Sequence, residues 1–316
     1  MRNRLLVSMA VFSLAATAAT EGKFERTLKI TGAVDLDVKT GAGNITMRSG
    51  DSASLRITGT IRARDGSGDA TGKVRRLESN PPIEQNGNTI RIGQIEDRDL
   101  MRDVSISYEL VVPTETRVRS QTGSGNQTIE GVRGPVEAAT GSGGLSITNI
   151  GDEVRASTGS GDIRVDSVKG RLRATTGSGS IGGMGIAGPV VATTGSGTIK
   201  LEQTGTGGAE VNTGSGSVQI SGVRGSLRVH TGSGNVTAQG EPAGEWNLDA
   251  ASGNLSVRLP PQAAFDFRAR TASGRISIDH PLSVQGVISK HEVQGKVRGG
   301  GPLVSLRAAS GNIEAQ

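Results

Sequence analysis

The 316-residue sequence contains no cysteine, three histidines and only 2% aromatic residues. Without cysteine, the chain can form neither a disulfide nor a lipidated N-terminal cysteine. Aromatic side chains usually supply much of the buried area of a wide globular core. Their scarcity, together with many Ala, Thr, Val and Ile residues, favours a thin interior that is stabilised by regular stacking.

An excess of charge of one sign is also lacking. The formal net charge is +5, and it falls to +3 if Arg2 and Arg4 are removed with an N-terminal leader. Acidic and basic residues are dispersed along the chain. No basic surface of the kind that binds nucleic acid is therefore predicted.

What the sequence has in quantity is glycine, with 49 residues, and these glycines are periodic. The phrase Thr-Gly-Ser-Gly begins at Thr122 and recurs at steps of 18 or 19 residues as far as Thr231. Degenerate copies begin at Thr40, Ala250, Thr271 and Ala308, and the last interval, 37 residues, equals two repeats. Such self-similarity is typical of a repeat protein rather than of a disordered glycine-rich chain.

Apolar and polar residues alternate on both sides of the phrase. Val154-Arg155-Ala156 precedes one copy, and Ile163-Arg164-Val165 follows it. A period of two is typical of β-strands, so each repeat is predicted to hold two short strands joined by the Gly-Ser-Gly corner. Two strands cannot bury an apolar face alone. We therefore predict an all-β fold, a β-helix-like β-solenoid of about ten stacked 18-residue rungs.

Stacking is expected to align the serine and the second glycine of each phrase in columns that hold the corners. Glycine suits a corner where the backbone has positive φ or approaches a neighbouring rung, and stacked serine hydroxyls can hydrogen-bond along their column. The predicted columns are Gly125, Gly143, Gly161, Gly179, Gly197, Gly216 and Gly234, and Ser124, Ser142, Ser160, Ser178, Ser196, Ser215 and Ser233.

Three regions are predicted along the chain. Residues 1–20 form a secretory signal peptide, 21–118 an N-terminal β region with an insertion at about 65–103, and 119–316 the β-solenoid repeats. The signal peptide is inferred from Arg2 and Arg4, the apolar run 5–15 and the small residues Ala16-Thr17-Ala18. The apolar run is shorter than the about 20 residues that span a membrane, so we expect export with no transmembrane segment after cleavage.

The insertion departs from the repeat pattern. Asp69 is placed to cap a short helix that carries Val74 and Leu77 one turn apart, and Pro81-Pro82 would end this helix. Asn86-Gly87 lies between two alternating segments and predicts a β-hairpin. We expect the insertion to cap one end of the stack, because an uncovered solenoid end exposes strand edges.

Several segments together resemble a known family. They are Phe24-Glu25-Arg26-Thr27, the Thr-Gly-Ser-Gly series, Tyr108-Glu109-Leu110-Val111-Val112-Pro113, and Gly299-Gly300-Gly301 before Ala309-Ser310-Gly311-Asn312-Ile313. They are similar to the bacterial putative adhesin family, domain of unknown function 4097, over essentially the whole chain after the leader. The resemblance implies a glycine-rich β-strand repeat fold and an adhesin-like role, and it brings no catalytic residue.

Motifs for phosphate binding, calcium binding and esterase chemistry are not matched. No Gly-Lys-Ser/Thr follows a glycine phrase, and an aspartate follows the second glycine in one of the seven full copies, at Asp162. No serine has glycine two positions away on both sides. The histidines, His230, His280 and His291, lack the spacing of metal ligands. No cofactor and no metal are predicted.

One group of carboxylates keeps an enzymatic alternative open. Asp97, Asp99 and Asp103 in the insertion could supply the acid and base of a β-helix carbohydrate-active enzyme, a polysaccharide lyase or hydrolase. The competing interpretation is a solvated charged loop, since Arg98 and Arg102 lie beside them.

A second candidate surface is an arginine patch formed by Arg155, Arg171 and Arg173, which share one outer face of the predicted stack. Such a patch could attract an acidic glycan or lipid headgroup. Against this, three glutamates lie one rung away from arginines and are expected to pair with them. The expected pairs are Glu137 with Arg155, Glu153 with Arg171 and Glu210 with Arg228.

The sequence as a whole predicts an exported, non-enzymatic protein of the periplasm, cell envelope or extracellular space. Its predicted role is that of an adhesin-like binding and scaffold protein. The expected partner is an extended glycan, an envelope polymer or a surface protein.

Overall fold

In the part of the chain that the structure describes, two long β-sheets, one of 14 strands and one of 15, form the all-β solenoid that the repeats predict. The computed structural model describes residues 19–50, 53–64, 69–95 and 97–316. The predicted signal peptide lies outside the described residues apart from Ala19 and Thr20. In the described part of the chain, no helix is long and apolar enough to cross a membrane.

The N-terminal region contributes seven strands and two helices to the described structure. They are β1 (Thr20–Lys29), β2 (Val34–Ala42), β3 (Ile45–Gly50), β4 (Ser54–Ala63), α1 (Ala70–Ser79), β5 (Ile83–Asn86), β6 (Thr89–Ile92), α2 (Arg98–Met101) and β7 (Val104–Pro113). Strands β1, β4 and β7 extend the 14-stranded sheet beyond β3, and the β5–β6 hairpin extends the 15-stranded sheet beyond β2.

The helix and the hairpin predicted for the insertion are both present. The Asp69 side chain accepts a hydrogen bond from the Gly72 amide at 3.0 Å and so caps α1. Val74 and Leu77 are buried on the inner side of α1, which packs against β1 and β4. These elements cover the N-terminal end of the stack, which is the position we expected for the insertion.

The central region repeats one two-strand unit. Its strands are β8 (Thr116–Ser124), β9 (Gln127–Glu130), β10 (Val136–Thr140), β11 (Leu145–Ile150), β12 (Val154–Thr158), β13 (Ile163–Val168), β14 (Leu172–Thr176), β15 (Ile181–Ile186), β16 (Val190–Ser196), β17 (Ile199–Gln203), β18 (Ala209–Ser215), β19 (Val218–Arg224), β20 (Leu227–Ser233) and β21 (Val236–Glu241). Even-numbered strands stack in parallel in the 15-stranded sheet, and odd-numbered strands stack in parallel in the 14-stranded sheet.

Alternation along each strand decides which side chains form the core. In β12, Val154, Ala156 and Thr158 are buried between the sheets, whereas Arg155 and Ser157 point outward. The next strand in the same sheet repeats this pattern in register, with Val154 beside Leu172. The interior is therefore a narrow column of mainly small aliphatic side chains, as the scarcity of aromatic residues predicts.

The C-terminal region contains β22 (Trp246–Ser252), β23 (Leu255–Arg258), β24 (Phe265–Ser273), β25 (Ile276–Ile278), β26 (Leu282–Ile288), β27 (Glu292–Val297), β28 (Leu303–Ser310) and β29 (Ile313–Ala315). Its spatial order differs from its chain order. In the 15-stranded sheet the order is β22-β28-β24-β27-β26, and in the other sheet it is β23-β29-β25. The rung made by β28 and β29 thus lies between two rungs that precede it in the chain.

This topology explains the 37-residue interval before the last repeat. The interval has the length of two repeats, but instead of two further rungs stacked in chain order it holds the antiparallel β26–β27 hairpin and a return into the stack. Four strands of the 15-stranded sheet and three of the 14-stranded sheet lie outside the rungs. The described residues therefore form eleven rungs, close to the expected ten.

Candidate functional site

The Gly-Ser-Gly corner is too crowded for side chains at its second glycine. A Cβ atom at Gly179 would overlap the carbonyl oxygen of Gly161 in the preceding rung. The other six glycines of the predicted column would meet the corresponding carbonyl oxygen of their own preceding rung. The glycine column therefore allows the corner backbones of neighbouring rungs to approach closely, and it presents no side chain to a ligand.

The threonine of the phrase makes the hydrogen bond that closes the corner. The Thr176 side chain is buried, and its Oγ1 donates to the carbonyl oxygen of Gly161 at 2.9 Å. Equivalent bonds run from Thr122, Thr140, Thr158, Thr194, Thr213 and Thr231 to the second glycine of the preceding rung. The columns predicted from the sequence contain the serine and the second glycine of the phrase and omit this threonine. Thr176 falls at an inward position of the alternation. The sequence therefore already indicates that this threonine side chain is buried.

The serine column lies on the solvent side of the same corner. Ser196, Ser215 and Ser233 are register partners on successive rungs, and all seven serines of the predicted column are exposed. Within the described residues, their hydroxyl groups make no hydrogen bond with one another. The column is therefore a surface row of hydroxyl groups, and the expected bonding along it is not observed.

A ladder of side-chain oxygens also stabilises the corner, and the sequence analysis missed it. It uses the position directly after the second glycine. Asn126 Oδ1 accepts the Gly144 amide of the next rung at 2.9 Å, and Asp162 Oδ1 accepts the Ser180 amide at 3.0 Å. Asp162, the one aspartate that follows the second glycine of a full phrase, thus stabilises the corner through this hydrogen bond.

The arginine patch lies on the outer face of the 15-stranded sheet. Arg155 and Arg173 are register partners on β12 and β14, and Arg171 directly precedes β14. Arg155 Nη2 lies 3.6 Å from Glu153 Oε1 in an exposed ion pair. Arg171 and Arg173 form no ion pair within the described part of the chain. Two of the three guanidinium groups are therefore free to contact a ligand.

Two of the three expected residue pairs are aligned across rungs, but none of the three expected ion pairs forms in the described structure. Glu153 contacts Arg155 of its own rung instead of Arg171. Glu137 and Arg155 are register partners, but the carboxylate of Glu137 contacts Arg119 of the preceding rung at 3.4 Å instead. Glu210 and Arg228 are also register partners, and no ion pair joins them in the described structure. Exposed ion pairs contribute little free energy, so small differences in side-chain geometry decide which neighbour a glutamate contacts.

A hollow of about 390 Å³ begins at Arg171 and continues along the same face. The hollow results from the sizes of the residues that directly precede the strands of the 15-stranded sheet on successive rungs. Arg171 and Glu245 are long, but the three rungs between them carry Pro189, Gly208 and Ser226. Three short residues between two long ones leave a depression, which we call the corner hollow.

The charges of the corner hollow are mixed. Arg228 and Glu210 line it together with Asn247, in addition to Arg171 and Glu245 at its ends. Guanidinium groups bind carboxylates and phosphates through two parallel hydrogen bonds, and the carboxylates and the amide accept hydrogen bonds from hydroxyl groups. The hollow is therefore suited to a polar, hydroxyl-rich ligand. Arg155 and Arg173 do not line it, so Arg171 is the member of the predicted arginine patch that belongs to the hollow.

A family model for Toastrack DUF4097 matches residues 25–315, which is nearly the whole chain. The chain belongs to this family. The match confirms the resemblance noted in the glycine phrases and in the segments at both ends of the repeat region. Membership of the Toastrack family by itself assigns no catalytic residue to this chain.

Solved structures that match the chain include a putative cell adhesion protein from Clostridium sporogenes, with 12% identity and a TM-score of 0.24. A putative adhesin from Bacteroides fragilis has 13% identity and a TM-score of 0.28, and a putative lipid binding protein from Parabacteroides distasonis has 10% and 0.28. They cover 94%, 93% and 93% of this chain and 99%, 97% and 96% of their own chains. A search of curated proteins found no match. The family assignment rests on the sequence model.

The carboxylates of the insertion in this Toastrack chain have separate positions. Asp97 Oδ1 accepts the Leu100 amide at 3.0 Å and caps α2, while Oδ2 lies 3.1 Å from Arg76. The hydrogen bond from Leu100, followed by the charge of Arg76, lowers the pKa of the Asp97 carboxyl below its ordinary value. A carboxyl with a lowered pKa is ionised at neutral pH and is a poor general acid.

Asp99 and Asp103 are exposed, and Asp103 has a positive φ of 61°. Asp103 lines a second depression, of about 590 Å³, together with Arg62 and Arg64, and neither Asp97 nor Asp99 lines it. The three carboxylates therefore do not converge on one cavity.

The histidines likewise lie apart. His230 is exposed on β20, as the alternation predicts, and His291 is exposed beside β27. His280 is buried near the C-terminal end, where its ring meets Phe265 edge to face at 5.4 Å. Among the described residues, no group of three or more His, Asp or Glu side chains is arranged to hold a metal ion.

Proposed function

We propose that this protein is an exported, non-enzymatic binding and scaffold protein of the cell envelope, with a role like that of an adhesin. Its rungs form a rod whose outer faces hold an extended polar polymer or another surface protein. Eleven rungs at about 4.8 Å per rung correspond to a length of about 50 Å. A rod of this kind offers one equivalent position per rung, so many weak contacts can add up to useful avidity.

The observation that carries the proposal is the corner hollow. It spans several rungs, it has guanidinium groups at Arg171 and Arg228 that form no ion pair among the described residues, and its floor is formed by Pro189, Gly208 and Ser226. A ligand that lies along the stack can bind the arginines through carboxylate or phosphate groups and the remaining lining through hydroxyl groups. We infer that the ligand is an extended, hydroxyl-rich chain with acidic groups.

A binding role is also favoured over catalysis by the placement of the carboxylates. General acid–base chemistry needs two titratable groups that face one substrate. In the described insertion, Asp97 is used to cap α2 and contacts Arg76, and Asp103 lies in a different depression. No observation on the described residues favours the polysaccharide lyase or hydrolase alternative.

The binding test uses the mature protein with a uronic-acid polysaccharide, a neutral β-glucan and soluble peptidoglycan as probes. We expect the Arg171→Ala/Arg228→Ala variant to bind an acidic probe about tenfold or more weakly, because each charge-assisted hydrogen bond contributes about 1.5–3 kcal/mol. The matched control is Lys200→Ala/Arg258→Ala, which removes two exposed charges from the outer face of the other sheet. Equal weakening in both variants, or no binding of any probe by the parent, would contradict the proposal.

Catalysis is tested with the same probes in turnover assays. We expect no turnover by the parent protein. Turnover that disappears in an Asp97→Ala/Asp99→Ala/Asp103→Ala variant would overturn the binding assignment and place an active site in the insertion.

A further inference from the structure

The rung formed by β28 and β29 is held between two rungs that come before it in the chain. β28 pairs in parallel with β22 on one side and with β24 on the other. β29 does the same between β23 and β25. If this rung were withdrawn, the rungs on either side would lose their shared neighbour in both sheets and a slot one rung wide would open. We call residues 303–315 the inserted rung.

The corner ladders also pass through the inserted rung. The Asn312 amide donates to Asn254 Oδ1 at 2.8 Å, and Asn312 Oδ1 accepts the Arg275 amide at 2.9 Å. Thr271 Oγ1 donates to the Gly311 carbonyl oxygen at 3.0 Å. A Cβ atom at Gly311 would overlap the carbonyl oxygen of Gly253. An occupant of the slot therefore needs glycine at its corner, followed by asparagine or another residue whose side-chain oxygen can accept the amide of the next rung.

The slot is strongly apolar inside. Val304 of the inserted rung is the register partner of Trp246 on one side and of Phe267 on the other, and all three are at most 1% exposed. An empty slot would expose these large aromatic side chains to water, which is unfavourable in proportion to the apolar area. The slot must therefore be filled for the C-terminal end of the rod to be stable.

The connection to the inserted rung is a tight turn rather than a packed strand. Arg298, Gly299 and Gly300 have φ values of 49°, 92° and 89°, and they lie between β27 and β28. Two of these three residues are glycines, which adopt extended conformations as readily as left-handed ones. If the turn straightens, residues 298–302 can span about 17 Å and direct the inserted rung away from its own rod.

We propose that the inserted rung exchanges between two copies of this chain, so that each copy fills the slot of the other. A second copy is the fitting occupant because its residues 303–315 reproduce the glycine at the crowded corner, the Asn312 ladder and the apolar residues Val304, Leu306 and Ile313. Reciprocal exchange closes a dimer in which no contact of the monomer is lost and only the turn at 298–302 changes. The dimer joins two rods at their C-terminal ends, and it does not depend on the ligand of the corner hollow.

The test uses the natural absence of cysteine in the chain. Two full-length proteins with tags of different size are prepared, one with Ser256→Cys and the other with Glu314→Cys. These positions are register partners on β23 and β29 at the outer face of the 14-stranded sheet. Only exchange of the inserted rung brings the two thiols of different chains together. The matched control is Thr128→Cys mixed with Ser146→Cys, which are register partners on β9 and β11 of the same face.

After the mixtures are warmed to just below the unfolding midpoint and oxidised, mixed disulfide dimers are measured on a non-reducing gel. We expect the Ser256→Cys and Glu314→Cys mixture to exceed the control by at least about tenfold, since exchange gives the thiols the high effective concentration of neighbouring strands. A yield equal to that of the control overturns the proposal.

A second measurement does not depend on the variants. The unmodified chain is mixed with an isotopically heavy copy, warmed in the same way and examined by native mass spectrometry after dilution. Dimers of mixed mass that survive dilution are expected. Monomers alone at every starting concentration would overturn the exchange.

Discussion

The middle of the rod and its two ends differ in the side chains that fill their cores. In the described residues from β8 to β21, the buried side chains are mainly Val, Ile, Leu, Ala and Thr, and no Phe, Tyr or Trp is present. The Phe, Tyr and Trp residues of the described chain lie at the ends: Phe24 and Tyr108 at the N-terminal end, and Trp246, Phe265 and Phe267 near the C-terminal end. A central rung packs between rungs of nearly the same shape, so small aliphatic side chains fill the core there. At an end, where the repeat stops, larger side chains fill the core.

The middle and the ends of the rod also differ in the relative direction of neighbouring strands. Between β8 and β21 the neighbouring strands of each sheet are parallel, and each corner repeats the threonine bond and, at several rungs, the side-chain ladder. At the ends, antiparallel strands appear, with β1 and β4 at one end and β26 and β27 at the other. An antiparallel strand does not continue the repeat. It therefore stops the parallel stacking that an open edge would invite.

The largest effect should come from emptying the C-terminal core. We expect Phe267→Ala to reduce the free energy of unfolding by about 3–5 kcal/mol, because it leaves a large cavity beside Val304 and Phe265. Hydrogen exchange should show that the loss of protection is confined to β22–β29, since rungs contact only their neighbours. The comparison is Leu172→Ala on β14, for which we expect loss of protection on both sides of the change. Loss spread evenly over the whole chain by Phe267→Ala would show that the ends and the middle unfold together.

A smaller but still large effect is expected at a central corner. Gly179→Val should cost about 2–3 kcal/mol, because its side chain must displace the Gly161 carbonyl of the neighbouring rung. Gly182, three residues further along the chain and at an outward position of β15, has nothing within 4 Å of a Cβ atom. Gly182→Val should therefore leave the denaturant midpoint unchanged or raise it slightly, since valine favours strands. Similar midpoints for the two variants would contradict the crowding of the corner.

The smallest effect distinguishes the threonine column from the serine column. Thr176→Val keeps the side-chain shape and removes the hydrogen bond to Gly161, so we expect a loss of about 1 kcal/mol in unfolding free energy. Ser178→Ala changes an exposed hydroxyl two residues away and should stay within about 0.5 kcal/mol. If Ser178→Ala is the more destabilising of the two in urea unfolding, the serine column contributes to stability in a way that its exposed positions do not explain.

The sequence predicts only some features of the candidate site. The alternation puts Arg155, Arg171 and Arg173 at outward positions, because a period of two leaves no other choice. It could not decide that Glu137 contacts Arg119 rather than Arg155, since both arginines lie one rung away and exposed ion pairs differ little in free energy. The corner hollow could have been found by comparing the residues before each strand, where Pro189, Gly208 and Ser226 replace longer side chains.

The sequence by itself determined the solenoid, its number of rungs to within one, the capping helix at Asp69 and the hairpin at Asn86-Gly87. These features depend on local periodicity and on the backbone preferences of single residues, which are encoded within a few positions. Only the tertiary structure decided that residues 303–315 enter the stack between β22 and β24. Every rung presents nearly the same edge to its neighbours, so the local pattern fits equally well in either order. The order of rungs is decided by the hairpin that turns the chain back and by the large side chains Trp246 and Phe267 that the inserted rung covers.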